Sequence, residues 1–155
     1  MAPPRLFGKP LADWADMPPV WLVGFMALAS VLGWAMPGWL VLVWPGRVLI
    51  GLGLLLAVWS ALAFRRARTT IVPRERPAAL VETGPYAISR NPIYLADLMI
   101  LAGWSLGHGL VITCLVVAAY WWVLLIRFVL PEEEVLRRDL GPDYMAYQRR
   151  VRRWI

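Results

Sequence analysis

A chain of 155 residues that is 60% hydrophobic and 17% charged, with ten tryptophans and a mean hydropathy of +0.59, is too apolar for a soluble domain of its length. It has room for one domain, 1–155, of short helices and none for a separate soluble nucleotide-binding unit, so any chemistry belongs at the membrane. A single cysteine, Cys114, and a single histidine, His108, exclude a disulfide framework and speak against a metal site, while the net charge of +6 comes from arginines at the ends of apolar runs, which argues for membrane topology and against nucleic acid.

Residues 1–19 carry Arg5, Lys9, Asp13 and Asp16 and five prolines, and do not read as a cleaved signal peptide. Val20 to Met36 is a 17-residue run without a charge, long enough at 1.5 Å per residue for a first transmembrane helix, 20–36. Pro37-Gly38 and Pro45-Gly46 punctuate the link that follows. Trp34, Trp39 and Trp44 crowd it as an interfacial belt would, and a second uncharged run predicts a helix over 48–64. Residues 65–92 form a basic loop, with Arg65, Arg66, Arg68, Arg74, Arg76 and Arg90 against Glu75 and Glu82.

Pro92 suits the first turn of a helix, and the chain is apolar from there through 93–106, short enough to require a thinned bilayer or a tilted helix. Gly107-His108-Gly109 breaks it. The run 110–130, whose only charge is Arg127, then completes a membrane hairpin. The tail, 131–155, has helical spacing at Val135, Leu136, Leu140, Tyr144 and Tyr147 and reads as an amphipathic segment on the membrane surface. The expected fold is therefore all-α, an integral membrane bundle of about four transmembrane helices. The basic loop and both termini lie on the cytoplasmic side of what the composition suggests is a bacterial inner membrane, and Arg47 and His108 lie opposite.

The hairpin brings Gly84-Pro85-Tyr86 and Ser89-Arg90-Asn91-Pro92-Ile93-Tyr94 close to Arg127 and Glu132-Glu133-Glu134. Such a mouth can hold a charged, nucleotide-like cofactor while the bilayer delivers a greasy substrate from the side. At these residues the chain resembles a known superfamily. The stretch LVETGPYAISRNPIYLADL is similar to the TGPY…R-H/N-P-x-Y-L signature of the isoprenylcysteine carboxyl methyltransferases and phospholipid methyltransferases. Glu132-Glu133-x-x-Leu136, Leu140-Gly141-x-x-Tyr144-x-x-Tyr147 and the basic residues Arg149 to Trp154 resemble that superfamily's ending. The likeness covers about residues 80–155, and the first two helices carry no signature.

The resemblance implies an S-adenosylmethionine-dependent methyltransferase acting on a lipophilic or amphiphilic acceptor. That acceptor is a prenylcysteine-like carboxylate, a phospholipid amine, or a small thiol or amine. It implies a cofactor site lined by Tyr86, Arg90, Asn91, Pro92 and Tyr94 and closed by Glu132 and Glu133. Carboxylates there suit ribose hydroxyls or an amino group, aromatic rings suit an adenine face or a sulfonium, and the amides opening the Pro92 helix suit a carboxylate. Asn91 stands where many relatives have His, which removes any imidazole base. Asp97, the only carboxylate within the membrane runs and one turn beyond Tyr94, is a candidate catalytic base, and Arg127 a candidate for contacting an anionic acceptor group.

Plainer readings stand beside these. Asp97 and Arg127 can pair across the hairpin and neutralise each other. Glu132 to Glu134 can be a solvated, dipole-favoured helix start. The loop arginines serve as topology determinants or contacts to anionic membrane lipids, Tyr144 and Tyr147 as residues that dock the tail, and His108 as a turn residue. The alternative function is non-enzymatic: a small helical membrane protein serving as a lipid-binding or assembly module.

Overall fold

The computed structural model describes residues 5–6, 9–10, 16–36, 40–67 and 80–155. Asp13, Trp39, Pro37-Gly38 and the loop residues Arg68, Arg74, Glu75 and Arg76 lie outside these. Near the N-terminus two short strands, β1 (Arg5–Leu6) and β2 (Lys9–Pro10), pair antiparallel. The rest is helical: α1 (Pro18–Ala35), α2 (Val43–Arg66), a single 3₁₀ turn at Gly84–Ala87, α3 (Pro92–Ser105), α4 (Leu110–Leu124), a π turn at Leu125–Val129, and α5 (Leu130–Arg150). This is the all-α membrane bundle that the apolar runs predict. Three stretches, Pro18–Ala35, Val43–Arg66 and Leu110–Arg150, are long and apolar enough to cross a membrane, and α3 is a fourth, shorter apolar helix.

Prolines open these helices. Pro18-Pro19 occupies the first turn of α1, Pro92 that of α3, and Pro45 lies inside the first turn of α2. In a first turn the missing proline N–H removes no helical bond and the fixed φ is already helical. For this reason α2 starts at Val43, five residues before the expected 48, and Pro45-Gly46 belongs to the helix and not to the link.

Apolar surface gives no drive to association in lipid, so helices meet where backbones can approach closely. The antiparallel α2–α3 pair shows this. A methyl placed on Gly46 would come within 2.4 Å of the Gly103 carbonyl oxygen, and one on Gly103 within 2.4 Å of the Gly46 oxygen; seven residues on, Gly53 lies over Ala96 and Ile100. The chain enters α2 with Leu42 N–H donating to the Leu106 carbonyl at 2.9 Å. On the other side α1 packs with α3 and α4 around Leu22, Ala29, Leu101, Val116 and Tyr120, with Phe25 against the Tyr120 ring at 5.1 Å. The Trp104 indole N–H and His108 meet Ser30 at the far end of this pair.

The hairpin's second arm does not stop at Leu130. Pro131 cannot donate to the carbonyl of Arg127, and the helix absorbs this by widening: within the π turn Leu130 N–H donates to Leu125 O, after which regular helix resumes. The expected separate surface segment is therefore the continuation of the hairpin arm. Gly141, at φ 52°, kinks it with Pro142 following. Beyond the kink Tyr144, Tyr147 and Val151 form a small buried core with Leu80, Leu136 and Leu140, so the tail folds back onto the segment that leads into α3.

Candidate active site

The residues after Gly84 and the far end of α5 converge on a cavity of about 350 Å³, inside the range of small-molecule sites. The 3₁₀ turn presents Tyr86, packed edge-on against Phe64 of α2 at 5.1 Å and holding its carbonyl to the Tyr147 hydroxyl at 2.7 Å. The start of α3 presents Asn91, Ile93, Tyr94 and, one turn deeper, Asp97; α5 presents Glu132, Glu133, Leu136, Tyr144 and Tyr147. Met17, Pro18 and Pro19 at the start of α1, with Phe64, Leu80 and Val81, make the remaining wall apolar. Of the residues that the sequence singles out, Tyr86, Arg90, Asn91, Tyr94, Asp97, Glu132 and Glu133 all line this one space. Pro92, buried at the first turn of α3, sits beside them as the helix start.

The two glutamates have separate partners. Glu132 Oε1 accepts the Tyr94 hydroxyl at 2.7 Å, joining α5 to the first turn of α3. Glu133, 4% exposed, accepts both ends of the Arg153 fork, at 2.9 and 2.8 Å. This bidentate bond holds the Arg153 proton more firmly than usual. Arg90 approaches the same carboxylate, its Nη1 3.3 Å from Glu133 Oε1. The approach is close enough for ionic attraction but too poorly angled for a hydrogen bond, and Arg90 Nε and Nη1 are buried without an acceptor.

The Ser89-Arg90-Asn91 segment is clasped to the C-terminus. Arg90 N–H donates to Arg152 O at 2.9 Å, Asn91 Nδ2 and Ser89 Oγ donate to Arg153 O at 3.0 and 3.3 Å, and Asn91 N–H donates to Ser89 Oγ at 3.1 Å. The side-chain N–H of Asn91 is thus committed to the tail. Burial, then the neighbouring Tyr147 and Glu132, push the Tyr86 phenol far above its ordinary range, and burial does the same to Tyr147. Both therefore act as neutral rings and hydroxyls at any physiological pH.

Arg127 is elsewhere. Its guanidinium bonds Asp16 and lies over the Trp21 ring at 5.4 Å, half exposed beside the start of α1. The cross-hairpin pair with Asp97 does not form: Arg127, within the π turn, bonds Asp16 just before α1. Asp97, 8% exposed, faces the Tyr120 hydroxyl instead, and Tyr120 donates to the Pro18 carbonyl at 3.2 Å. Among the described residues no group of His, Cys, Asp and Glu is placed to hold a metal ion.

Several lining residues escaped the sequence reading. Tyr144 and Tyr147 dock the tail as expected, yet they also line the cavity; their i, i+3 spacing places both on one helix face. The Met17–Pro19 wall gave no signal; behind the lining, Tyr120 gave none either and Arg153 only its place in the basic ending, since their contacts join residues 102 and 20 apart.

Residues 41–143 match the phospholipid methyltransferase family. No curated protein matches the chain, and no solved structure does. The family match spans α2, the hairpin and most of α5, and so takes in most of the residues that build the cavity: the chain belongs to the phospholipid methyltransferase family, a family of membrane methyltransferases.

Proposed function

We propose that the chain transfers a methyl group from S-adenosylmethionine to a lipophilic or amphiphilic acceptor that enters from the bilayer. The observation that carries this reading is the cavity's division of labour. Its polar side holds a buried cation with unspent N–H groups, two carboxylates and tyrosine rings, while its other side is apolar and belongs to helices facing lipid. These residues fit the cofactor. Arg90 Nε and Nη1, with the Ile93 and Tyr94 amides that no earlier helical carbonyl can receive, suit its carboxylate. Glu132 suits its hydroxyls or ammonium, and Tyr86 and Tyr94 its ring or sulfonium.

When bound, S-adenosylmethionine supplies an electrophilic methyl on a sulfonium. The protein's contribution is placement. Tyr94 and Glu132 lock α3 to α5, so that the polar wall keeps its shape, and Tyr86 is fixed by Phe64 on one side and Tyr147 on the other. Proximity and alignment of this kind provide most of what a displacement at carbon requires. The apolar wall from Met17, Pro18, Pro19 and Leu136 excludes water and accepts an aliphatic chain. Asp97, a turn deeper than Tyr94 and facing Tyr120, is placed to take a proton from an acceptor that carries one.

The orientation follows from charge. Arg65, Arg66, Arg90 and the C-terminal arginines lie at the cavity end of the bundle, and Arg47, stacked on Trp44 at 5.0 Å, lies at the opposite end. This distribution supports a cavity and termini facing the cytoplasm.

The test is transfer of labelled methyl from S-adenosylmethionine into organic-extractable material by nanodisc-reconstituted protein supplied with bacterial lipid extract. The reading predicts time-dependent label that S-adenosylhomocysteine suppresses. Folded protein that labels nothing across amine, carboxylate and thiol acceptors would favour a lipid-binding or assembly role.

A further inference from the structure

Glu133 is flanked by two arginines from opposite ends of the sequence. Arg153 spends its fork on both carboxylate oxygens, at 2.9 and 2.8 Å. Arg90, only 3.3 Å from one of them, is left with Nε and Nη1 unbonded and buried. A carboxylate can take a bidentate arginine on one edge, and a second guanidinium then meets oxygens whose best lone pairs are used. Arg153 reaches this position because the segment Val151–Trp154 is tied down by three bonds, from Arg90 N–H, Asn91 Nδ2 and Ser89 Oγ, and by the buried Val151 side chain.

We infer that Arg153 is a positioning residue for cofactor binding: by occupying Glu133 it keeps the Arg90 guanidinium unspent, so that Arg90 can bind the carboxylate of an aminoacyl-bearing nucleoside. Without Arg153, Glu133 turns onto Arg90 and an internal carboxylate fills the place of the ligand's own. The C-terminal strap thereby licenses the site, and a chain whose last turn is undocked is self-blocked. The groups facing Arg90 are Glu133 and the Tyr144 and Tyr147 hydroxyls; the two tyrosines, as neutral phenols, do not substitute for either carboxylate.

This inference rests on the reading that the cavity takes S-adenosylmethionine, and the experiment separates the two. Titration calorimetry of the full-length protein in nanodiscs would use two probes. S-adenosylhomocysteine carries the carboxylate, and 5′-methylthioadenosine lacks it. Wild-type binding of S-adenosylhomocysteine establishes the cofactor reading, and its absence removes that reading whatever Arg153 does. Given binding, R153A is expected to weaken S-adenosylhomocysteine about tenfold or more while shifting 5′-methylthioadenosine by no more than about threefold.

The double variant R153A/E133Q should recover S-adenosylhomocysteine affinity to within about threefold of wild type, because the neutral amide no longer competes for Arg90. R153K, which keeps the charge but not the fork, should fall between. A purely structural role for the strap would weaken both probes equally, and E133Q would not rescue it; either result overturns the inference, as does unchanged affinity in R153A. Should R153A fail to fold, the graded loss in R153K and the selectivity between probes decide the matter.

Discussion

The Tyr94 hydroxyl donates to Glu132 Oε1 at 2.7 Å, fastening the first turn of α3 to the start of α5 across 38 residues of sequence. A phenol giving its proton to a carboxylate is a charge-assisted bond, and Tyr94 is 6% exposed. Tyr94→Phe keeps the ring and removes this bond. The expected cost is about 1–3 kcal/mol of stability, with S-adenosylhomocysteine affinity reduced several-fold because the polar wall loosens. Thermal unfolding and calorimetric titration of the same preparation check both.

The α2–α3 contact makes a sharper structural prediction. Gly46→Ala or Gly103→Ala drives a methyl into a backbone carbonyl at 2.4 Å, and backbone cannot move aside as a flexible side chain can. Each should lower stability by about 1–3 kcal/mol. Gly24 and Gly51 have nothing within 4 Å, so Gly24→Ala and Gly51→Ala should be neutral or stabilising by up to about 1 kcal/mol through helix propensity. Thermal melts of the four variants in one detergent separate the pairs.

Asp97 and Arg127 should behave differently under mutation. Asp97→Asn is expected to reduce turnover by about 10²-fold or more on an acceptor that loses a proton, with cofactor affinity nearly unchanged, since Asp97 lies a turn below the polar wall. Arg127→Ala should leave both nearly intact, because its partner is Asp16 at the bundle surface. Parallel methyl-transfer and binding measurements distinguish these outcomes from a role for Arg127 on the acceptor.

Alkaline pH should unfold the cavity end first. Burial raises the phenols of Tyr86 and Tyr147 above the ordinary value of 10.0. A group whose pKa is higher when folded contributes in full below its unfolded pKa and loses that contribution as pH climbs from there toward the folded value. Stability should therefore hold up to about pH 10 and fall above it. Tyr147→Phe, which also loses the bond to the Tyr86 carbonyl, should be less stable at neutral pH by about 1 kcal/mol and show a shallower alkaline decline. Melting temperature against pH, with tyrosinate absorbance followed in parallel, tests the sign.

Much of this architecture is legible in the sequence, because lipid enforces long uncharged runs and confines arginine to their ends. The four apolar segments and the hairpin that joins Tyr94 to Glu132 follow from that. The prolines were harder to place. Pro45 and Pro131 look like stops, yet one sits in a first turn and the other behind a π turn that absorbs its missing donor. Less legible still was the C-terminus, where a basic stretch reads equally as a membrane-surface patch. Its bonds to Ser89, Arg90, Asn91 and Glu133 exist only after the tail has folded back at Gly141. Arg127 shows the converse: the resemblance and the tendency of intramembrane charges to pair both point it toward the hairpin mouth, whereas its partner is Asp16, 111 residues away in sequence.

Titration of nanodisc-embedded protein with S-adenosylhomocysteine, wild type against Arg90→Ala, tests the central claim most directly. The cavity predicts saturable wild-type binding that Arg90→Ala weakens by about tenfold or more, in a variant whose melting temperature stays close to wild type. A folded wild type that binds nothing up to millimolar ligand, or an Arg90→Ala variant that binds as wild type does, would contradict the assignment of this cavity as the cofactor site.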